Sequence, residues 1–430
     1  MSTGFDRDPD EFTRGARAVV VYPDLGGSTR DADARLEETA GLALAIGIEV
    51  VERVGFRIRA PKPGTLIGSG QVEALAETVA AHELGLAVFD AALTPVQQRN
   101  LETGLGCKVI DRTGLILEIF GERARTAEGR LQVELAHLDY QAGRLVRSWT
   151  HLERQRGGFG FLGGPGETQI EADRRLIRDR MARLRRELDA VSRTRGLHRE
   201  RRQRAPWPVI ALVGYTNAGK STLFNRMTGA DVMAENLLFA TLDPTLRQIS
   251  LPGIDKAILS DTVGFVSELP TQLVAAFKAT LEEVVSADLL IHVRDIAHPD
   301  SQAQKDDVEQ VLREIGVAPE TPRFEAWNKL DLLDGERREE VLADVARTEN
   351  VVAVSALSGE GVPTLLQQVA AQLTQGHRRY HITLDPSDGA AAAWLHQHGE
   401  VVEHWVEGDQ AVYDVRMAPK DHDRFVTRTG

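Results

Sequence analysis

The sequence is poor in cysteine and in long hydrophobic runs. Its 430 residues include one cysteine, Cys107, so an internal disulfide and a cysteine metal cluster are excluded. No stretch approaches the roughly 20 consecutive apolar residues that a bilayer-spanning helix needs. The first residues include Asp6, Arg7 and Asp8, where a secretory signal peptide would have an apolar segment. These absences predict a cytoplasmic protein with no stable membrane insertion.

Outside one segment, acidic residues outnumber basic ones. The formal net charge of the chain is −13. Between Arg144 and Arg204 there are 17 arginines, no lysine and 8 acidic residues, which gives this segment a charge of +9 and the rest of the chain −22. A basic segment in an acidic protein indicates a local contact with a polyanion. From charge alone, the simpler interpretation is a long solvated helix that is rich in arginine.

The first 125 residues alternate short apolar runs with helical patterns, which favours a small α/β domain with a parallel sheet. The predicted strands are Ala18–Tyr22, Ile48–Val51 and Leu86–Asp90, and the predicted helices are Ala34–Ile46, Val72–His82 and Pro95–Gly104.

Residues 126–205 carry two heptad seams. Apolar residues from Leu131 to Leu152 are spaced alternately four and three apart, and the pattern returns from Ile177 to Val191. Such a/d seams are typical of helices packed as a coiled coil. The intervening Gly157–Gly166 contains six glycines, and glycine continues a helix poorly. The pattern predicts an antiparallel helical hairpin with a flexible tip; the alternative is two unrelated helices joined by a linker.

Prolines mark the next boundary. Pro206 and Pro208 end the hairpin, and we predict a separate domain over 206–376. In the final segment, 377–430, two apolar runs joined by Glu407–Gln410 predict a β-hairpin, and Asp388–His398 predicts a helix. This tail is therefore expected to be a small α+β domain.

The chemistry-bearing motif of the third domain follows a buried strand, Val209–Val213. The loop Gly214-Tyr215-Thr216-Asn217-Ala218-Gly219-Lys220-Ser221 precedes Thr222 and a helical run, which is the strand–loop–helix context of a phosphate-binding P-loop. Its backbone N–H groups and the helix N-terminus favour phosphate. We expect Lys220 to bridge the β- and γ-phosphates and Ser221 to ligate Mg²⁺.

Three further motifs follow strands in an order that predicts a guanine nucleotide site. They are Asp261-Thr262-Val263-Gly264, Asn328-Lys329-Leu330-Asp331 and Ser355-Ala356-Leu357. Asp261 is expected to hold Mg²⁺ through water, and Gly264 to offer its N–H to the γ-phosphate. Guanine has two adjacent donors that suit one carboxylate, so Asp331 is predicted to select it. Four motifs at strand ends indicate the doubly wound fold of a P-loop GTPase.

A switch segment is predicted between the first two motifs. It comprises Phe239-Ala240-Thr241-Leu242-Asp243, and Thr241 is expected to complete the Mg²⁺ shell, with Thr245 as the alternative. The catalytic set is thus Lys220, Thr241 and Gly264. Many GTPases carry a water-orienting Gln after the D-x-x-G motif, where this chain has Phe265. Slow intrinsic hydrolysis is therefore expected.

At these residues the chain resembles the HflX family of ribosome-associated GTPases. The matching segments are 214–221, 239–245, 261–265, 328–331 and 355–357, with GSGQVEAL at 68–75, LTPVQQRNLE at 93–102, DRTGLILEIF at 111–120 and RGGFGFLGGPGE at 156–167. The resemblance implies a large-subunit binder that splits stalled or idle ribosomes under stress. It also implies that Phe265 is typical, and that K⁺ is a second cofactor through Asn217. The protein is expected to be a monomer.

The hairpin tip suits ribosomal RNA. Arg154 and Arg156 can contact phosphates, and Phe159 and Phe161 can stack on bases. The alternative is that the two phenylalanines fold the loop onto its own helices. Two other functions stay open for the chain: a nucleotide-switched regulatory module with a protein partner, and an ATP-driven RNA-remodelling enzyme, which Asp331 disfavours.

Overall fold

A computed structural model describes residues 15–26, 30–155, 174–191, 207–229, 239, 245–267 and 278–429. Within these ranges every helix is too short or too polar to span a bilayer. The described residues form an α/β protein, as the sequence predicts, and contain three sheets. The domain boundaries stay a prediction.

The N-terminal unit contains a four-stranded parallel sheet in the order β2-β1-β3-β4. Its strands are β1 (Arg17–Asp24), β2 (Glu49–Arg57), β3 (Leu86–Phe89) and β4 (Lys108–Asp111), and its helices are α1 (Ala32–Leu44), α2 (Ser69–Ala81), α3 (Pro95–Leu105) and α4 (Arg112–Arg123). Thr94 caps α3, and its hydroxyl accepts the N–H of Gln97. The predicted parallel sheet is confirmed. Strand β2 extends beyond the apolar run that predicted it. The additional residues include exposed ones, which an apolar pattern does not mark.

Two long helices follow, α5 (Ala127–Gln155) and α6 over residues 174–191. Arg180 Nε donates to Glu134 Oε1 at 2.7 Å and joins them. Met181 and Leu184, in the second predicted seam, are buried. Among the described side chains of α5, Val133 and Ala136 are the most buried and pack against the N-terminal core, while the seam residues Leu131, Leu135 and Leu138 are half-buried. The Gly-rich tip lies outside the described residues.

The third unit has a six-stranded sheet in the order β10-β9-β8-β5-β7-β6, and only its edge strand β6 is antiparallel. Its strands are β5 (Val209–Val213), β6 (Thr245–Leu251), β7 (Ile254–Asp261), β8 (Leu289–Asp295), β9 (Arg323–Asn328) and β10 (Val351–Ala353). Its helices are α7 (Lys220–Thr228), α8 (Lys278–Val285), α9 (Ser301–Glu314), α10 (Gly335–Val345) and α11 (Val362–Leu373), with a 3₁₀ turn at Leu330–Leu332. Successive β5 residues enter different hydrophobic clusters, so the strand is buried on both faces.

The C-terminal unit is an antiparallel sheet, β11-β13-β12, covered on one face by two helices. Its elements are β11 (Arg378–Leu384), α12 (Gly389–His398), β12 (Glu400–Glu407), β13 (Gln410–Met417) and α13 (Pro419–Thr429). The predicted hairpin and helix are confirmed. The sequence reading missed β11 and α13, which both contribute to the small core around Trp394 and Phe425.

Candidate nucleotide site

The phosphate loop lies between β5 and α7, and two of its glycines are fixed by close approach. A Cβ added at Gly214 would lie 2.3 Å from the carbonyl oxygen of Val293. Gly219 has a φ of 94°, and a Cβ there would lie 2.1 Å from Nδ2 of Asn328. A side chain at Gly214 would collide with the backbone of β8, and one at Gly219 would displace the Asn328 amide. Because α7 begins at Lys220, the positive end of its helix dipole lies at this loop and favours an anion.

The ammonium group of Lys220 lies in the loop itself. Its Nζ donates to the carbonyl oxygens of Gly214 at 3.1 Å and Tyr215 at 2.8 Å. Burial lowers the pKa of Lys220 to about 8, against the opposing effect of the Asp261 carboxylate. A polyphosphate in the loop would supply the negative charge that stabilises the ammonium form.

A hydroxyl and a carboxylate meet beside Lys220. Ser221 Oγ donates to Asp261 Oδ2 at 2.8 Å, and Asp261 is fully buried at the end of β7. Oxygen donors of this kind are the ligands that Mg²⁺ prefers, and the ion keeps several waters. The Ser221–Asp261 pair therefore fits a magnesium ion, with the carboxylate acting directly or through water.

The loop after β7 is attached to the phosphate loop by backbone hydrogen bonds. Thr216 N donates to the carbonyl oxygen of Phe265 at 2.7 Å, and Phe265 N donates to that of Gly214 at 3.1 Å. A Cβ added at Gly264 would lie 2.9 Å from Cα of Thr216, so glycine is required there. The Phe265 ring is buried in an apolar cluster and has no polar group that could orient water.

Asn328 connects three of the predicted motifs. Its Nδ2 donates to the carbonyl oxygen of Ala218 at 2.8 Å, and its Oδ1 accepts the N–H of Ala356 at 2.9 Å. The next residue, Lys329, has a φ of 68° and forms an ion pair with Asp295 at 2.7 Å. The end of β9 is therefore fixed to both the phosphate loop and the loop after β10.

The carboxylate of Asp331 lies at the exposed end of this arrangement. Ser355 Oγ donates to Asp331 Oδ1 at 2.6 Å and also accepts the N–H of Ser358 at 3.1 Å. The Leu357 side chain is 70% exposed, and its carbonyl oxygen accepts a hydrogen bond from Arg226. A base that contacts Asp331 would thus meet a carboxylate with one oxygen already oriented.

The structure brings the described motif residues together at the carboxyl ends of β5, β7, β9 and β10, where doubly wound sheets bind ligands. Of the predicted switch segment, Phe239 alone is described, and its ring contacts that of Phe120 at 4.7 Å between centroids. The alternative threonine, Thr245, pairs with Asp261 across β6 and β7. The other predicted residues, Ala240, Thr241, Leu242 and Asp243, lie outside the described residues, as do Arg156, Phe159, Phe161 and the side chain of Arg154.

A polar network from the N-terminal unit also reaches the site, and sequence reasoning missed it. The Tyr215 hydroxyl donates to Glu38 at 2.9 Å and accepts the N–H of Ser267 at 3.0 Å. Ser267 Oγ accepts from Arg112 at 2.9 Å and from Arg35 at 3.1 Å. These residues are far apart in the chain and form no local motif, so no sequence pattern could have grouped them.

The charges of this network balance one another. Arg112 is buried between the carboxylates of Glu38 and Asp90; burial disfavours its charge, but the two carboxylates outweigh burial and raise its pKa. Arg30 donates to the Tyr215 hydroxyl at 3.0 Å and pairs with Asp307 on α9. Burial raises the pKa of Tyr215 to about 12, so the phenol stays neutral. The N-terminal unit is thereby joined to both sides of the phosphate loop.

Family models match most of the chain. Residues 33–121 match a model described as "GTP-binding GTPase N-terminal" and 123–202 match "GTP-binding GTPase Middle Region". Residues 209–329 match "50S ribosome-binding GTPase", and 340–430 match "HflX C-terminal domain".

Individual relatives also match nearly the whole chain. A protein of Magnetococcus marinus named "GTPase HflX" is 52% identical over 404 residues, which cover 94% of this chain and 93% of that protein. A protein of the same name from Escherichia coli is 45% identical over 97% of both chains. A solved GTP-binding protein from Sulfolobus solfataricus in complex with GDP is 23% identical, with a TM-score of 0.45, over 84% of this chain and 99% of that one.

Proposed function

Because this chain belongs to the HflX family of GTPases, it binds and hydrolyses GTP, and we propose that its partner is the large ribosomal subunit. In this proposal the GTP-bound protein binds the RNA of the subunit and splits stalled or idle ribosomes. Hydrolysis then controls its release. In the same proposal the protein acts in the cytoplasm and is a monomer.

The observation that carries the proposal is the match of residues 209–329 to a model of ribosome-binding GTPases. The Arg-rich segment between Arg144 and Arg204 supports it, since arginine is well suited to phosphate contacts and this segment carries +9 in an acidic chain. The resemblance to the family extends through this segment, including the Gly-rich tip.

Each site residue has a proposed role in this reaction. Lys220 contacts the β- and γ-phosphates, and the Gly264 N–H contacts the γ-phosphate. Ser221 and Thr241 hold Mg²⁺, which neutralises charge on the phosphates, and the buried Asp261 orients that shell. Asp331 selects guanine, and Asn328, Lys329 and the Ser355–Leu357 loop support it.

Potassium is proposed as a second cofactor near Asn217. This residue lies in the phosphate loop with a φ of 58°, and its side chain is exposed, so its amide oxygen is accessible to a cation. GTP turnover by the full chain should be faster in K⁺ than in Na⁺ at equal ionic strength. Equal rates in the two salts would remove potassium from the mechanism.

Cosedimentation of the full chain with purified large subunits tests the central proposal. The protein should pellet with the subunit in a non-hydrolysable GTP analogue and less so with GDP. Light scattering of intact ribosomes should fall when the protein and GTP are added. Basal GTP turnover should be slow, since Phe265 cannot orient water, and should rise when ribosomes are present.

The alternatives give different results in the same assays. A regulatory module with a protein partner would stay in the supernatant with every nucleotide. An ATP-driven remodelling enzyme would bind RNA better with an ATP analogue than with a GTP analogue. Either outcome would overturn the ribosomal proposal.

A further inference from the structure

A buried hydroxyl lies in the phosphate loop without a hydrogen-bond partner among the described residues. It belongs to Thr216, whose residue surface is 6% exposed. A buried hydroxyl that makes no hydrogen bond costs about 1–3 kcal/mol. Such a group calls for a specific explanation, because nearly all buried polar groups in native proteins are satisfied. By contrast, the neighbouring Thr262 hydroxyl donates to the carbonyl oxygen of Leu212 at 2.6 Å.

The Thr216 side chain lies beside the glycine whose N–H is proposed to meet the terminal phosphate. A Cβ added at Gly264 would be 2.9 Å from Cγ2 of Thr216 and 3.1 Å from Nζ of Lys220. The threonine side chain and the ammonium group therefore flank the glycine whose N–H is proposed to meet the γ-phosphate. The backbone N–H of Thr216 already donates to Phe265, so the hydroxyl is the remaining hydrogen-bond donor of this residue.

The chemistry of hydrolysis gives this hydroxyl a function. A water oxygen bonds to the γ-phosphorus while the bond from that phosphorus to the β-phosphate oxygen breaks; GDP keeps this oxygen, the water gives up a proton to the released phosphate, and negative charge spreads over the γ-phosphoryl oxygens in the transition state. Donors placed beside these oxygens stabilise that charge. Phe265 contributes no polar group here. We propose that Thr216 Oγ1 donates a hydrogen bond to the γ-phosphoryl group of bound GTP, a contact that GDP cannot make.

The contact predicts a difference between GTP and GDP. Thr216→Val replaces the hydroxyl by a methyl group of similar size, and it should lower kcat/KM for GTP about tenfold to hundredfold, since the lost bond is charge-assisted. GDP affinity should stay at the parental value. Thr216→Ser keeps the hydroxyl and should retain most of the activity.

A matched control lies in the adjoining helix. The Thr228 hydroxyl donates to the carbonyl oxygen of Phe224 at 2.8 Å, away from the phosphate loop. Thr228→Val makes the same chemical change and should leave kcat/KM within twofold of the parent. Unaltered GDP affinity of the Thr216 variants shows that they fold.

Two results would overturn the proposal. If Thr216→Val hydrolyses GTP within twofold of the parental kcat/KM, the hydroxyl makes no contact in the reaction. If GTP and GDP affinities fall together, the hydroxyl only supports the shape of the loop. Binding of GDP and of a non-hydrolysable GTP analogue, measured by fluorescence titration, separates these results from the expected one.

Discussion

Asp331 offers a carboxylate at the exposed end of the candidate site, and Ser355 orients one of its oxygens at 2.6 Å. Replacing Asp331 by Asn exchanges a pair of acceptors for one acceptor and one donor. The lost charge-assisted bond to guanine is worth about 1.5–3 kcal/mol, so GTP affinity should fall roughly tenfold to hundredfold. Titration with a fluorescent GTP analogue measures this change.

Xanthine nucleotides provide the matched control for this variant. Xanthine carries a carbonyl oxygen where guanine carries its 2-amino group, so the amide donor that Asp331→Asn introduces can pair with it. The variant should therefore bind xanthosine triphosphate better than the parent does. If it binds GTP as tightly as the parent, Asp331 does not select the base.

The residues of the phosphate and base motifs were predictable from sequence because each motif follows directly from a strand. Ser221 and Asp261, for example, were expected to share one ion and do lie 2.8 Å apart. The partners of Tyr215 were not predictable. Glu38 and Arg112 meet it only because the N-terminal unit packs against the loop after β7, and long-range packing leaves no local pattern.

At the scale of elements, buried Arg112 joins α4 to α1, to Asp90 directly after β3, and to the loop after β7. Arg112→Met would leave the carboxylates of Glu38 and Asp90 short of a cation, although Arg30 and Arg35 remain. Breaking a buried pair in this way costs about 3–5 kcal/mol, and we expect the lower end of that range. The free energy of unfolding in urea measures the loss.

Substitution of an exposed arginine provides the control for that measurement. Arg99 lies on the solvent side of α3, and Arg99→Met should change the free energy of unfolding by less than about 0.5 kcal/mol. Equal stabilities of the two variants would mean that the Arg112 network adds nothing to the folded state.

Because of Glu325, a side chain in the sheet of the third unit, the free energy of unfolding is expected to depend on pH. Burial alone would raise its pKa, but hydrogen bonds from Lys305, Trp327 and Arg294 outweigh burial and lower it from 4.5 to about 2. The depressed pKa means that the folded state binds this proton less readily than the unfolded state. The stabilisation is therefore complete above about pH 4.5 and is lost as the pH falls toward 2.

The variant Glu325→Gln measures this contribution. After allowing for solvent screening of a partly exposed group, we expect the variant to be less stable than the parent by roughly 1–2 kcal/mol at pH 7. The difference should shrink between pH 4.5 and pH 2. A difference that stays constant over that range would assign the loss to packing instead of charge.

Elements with strong periodicity were predictable, and those held by tertiary contacts were not. The three strands and three helices predicted in the first 125 residues were found within a few residues of their bounds, except the extended end of β2, whereas β4 and α4 were not predicted. The heptad pattern on α5 identified the helix but not its most buried face. Val133 and Ala136 face the N-terminal core, whereas Leu131, Leu135 and Leu138 of the predicted seam are half-buried.

At the scale of the whole molecule, the N-terminal unit and the candidate site share one hydrophobic cluster. It contains Phe120 of α4 together with Phe239 and Phe265 from the nucleotide-site loops. A change in either loop would therefore alter contacts with the N-terminal unit, to which α5 is also packed. Apolar contacts are therefore continuous from the nucleotide-site loops to α5, which carries the start of the Arg-rich segment.

The last prediction concerns the tip between those helices, residues 157–166, which lies outside the described residues and is argued from its sequence. Replacing Phe159 and Phe161 by Ala should leave GTP affinity intact, because neither belongs to a nucleotide motif. It should slow ribosome splitting, since stacking on a base is worth about 1–3 kcal/mol. Charge reversal at Arg154 and Arg156 should instead weaken subunit binding and flatten its dependence on salt, because fewer counterions are released. Splitting at the parental rate by the double Phe variant would show that the tip is a structural turn.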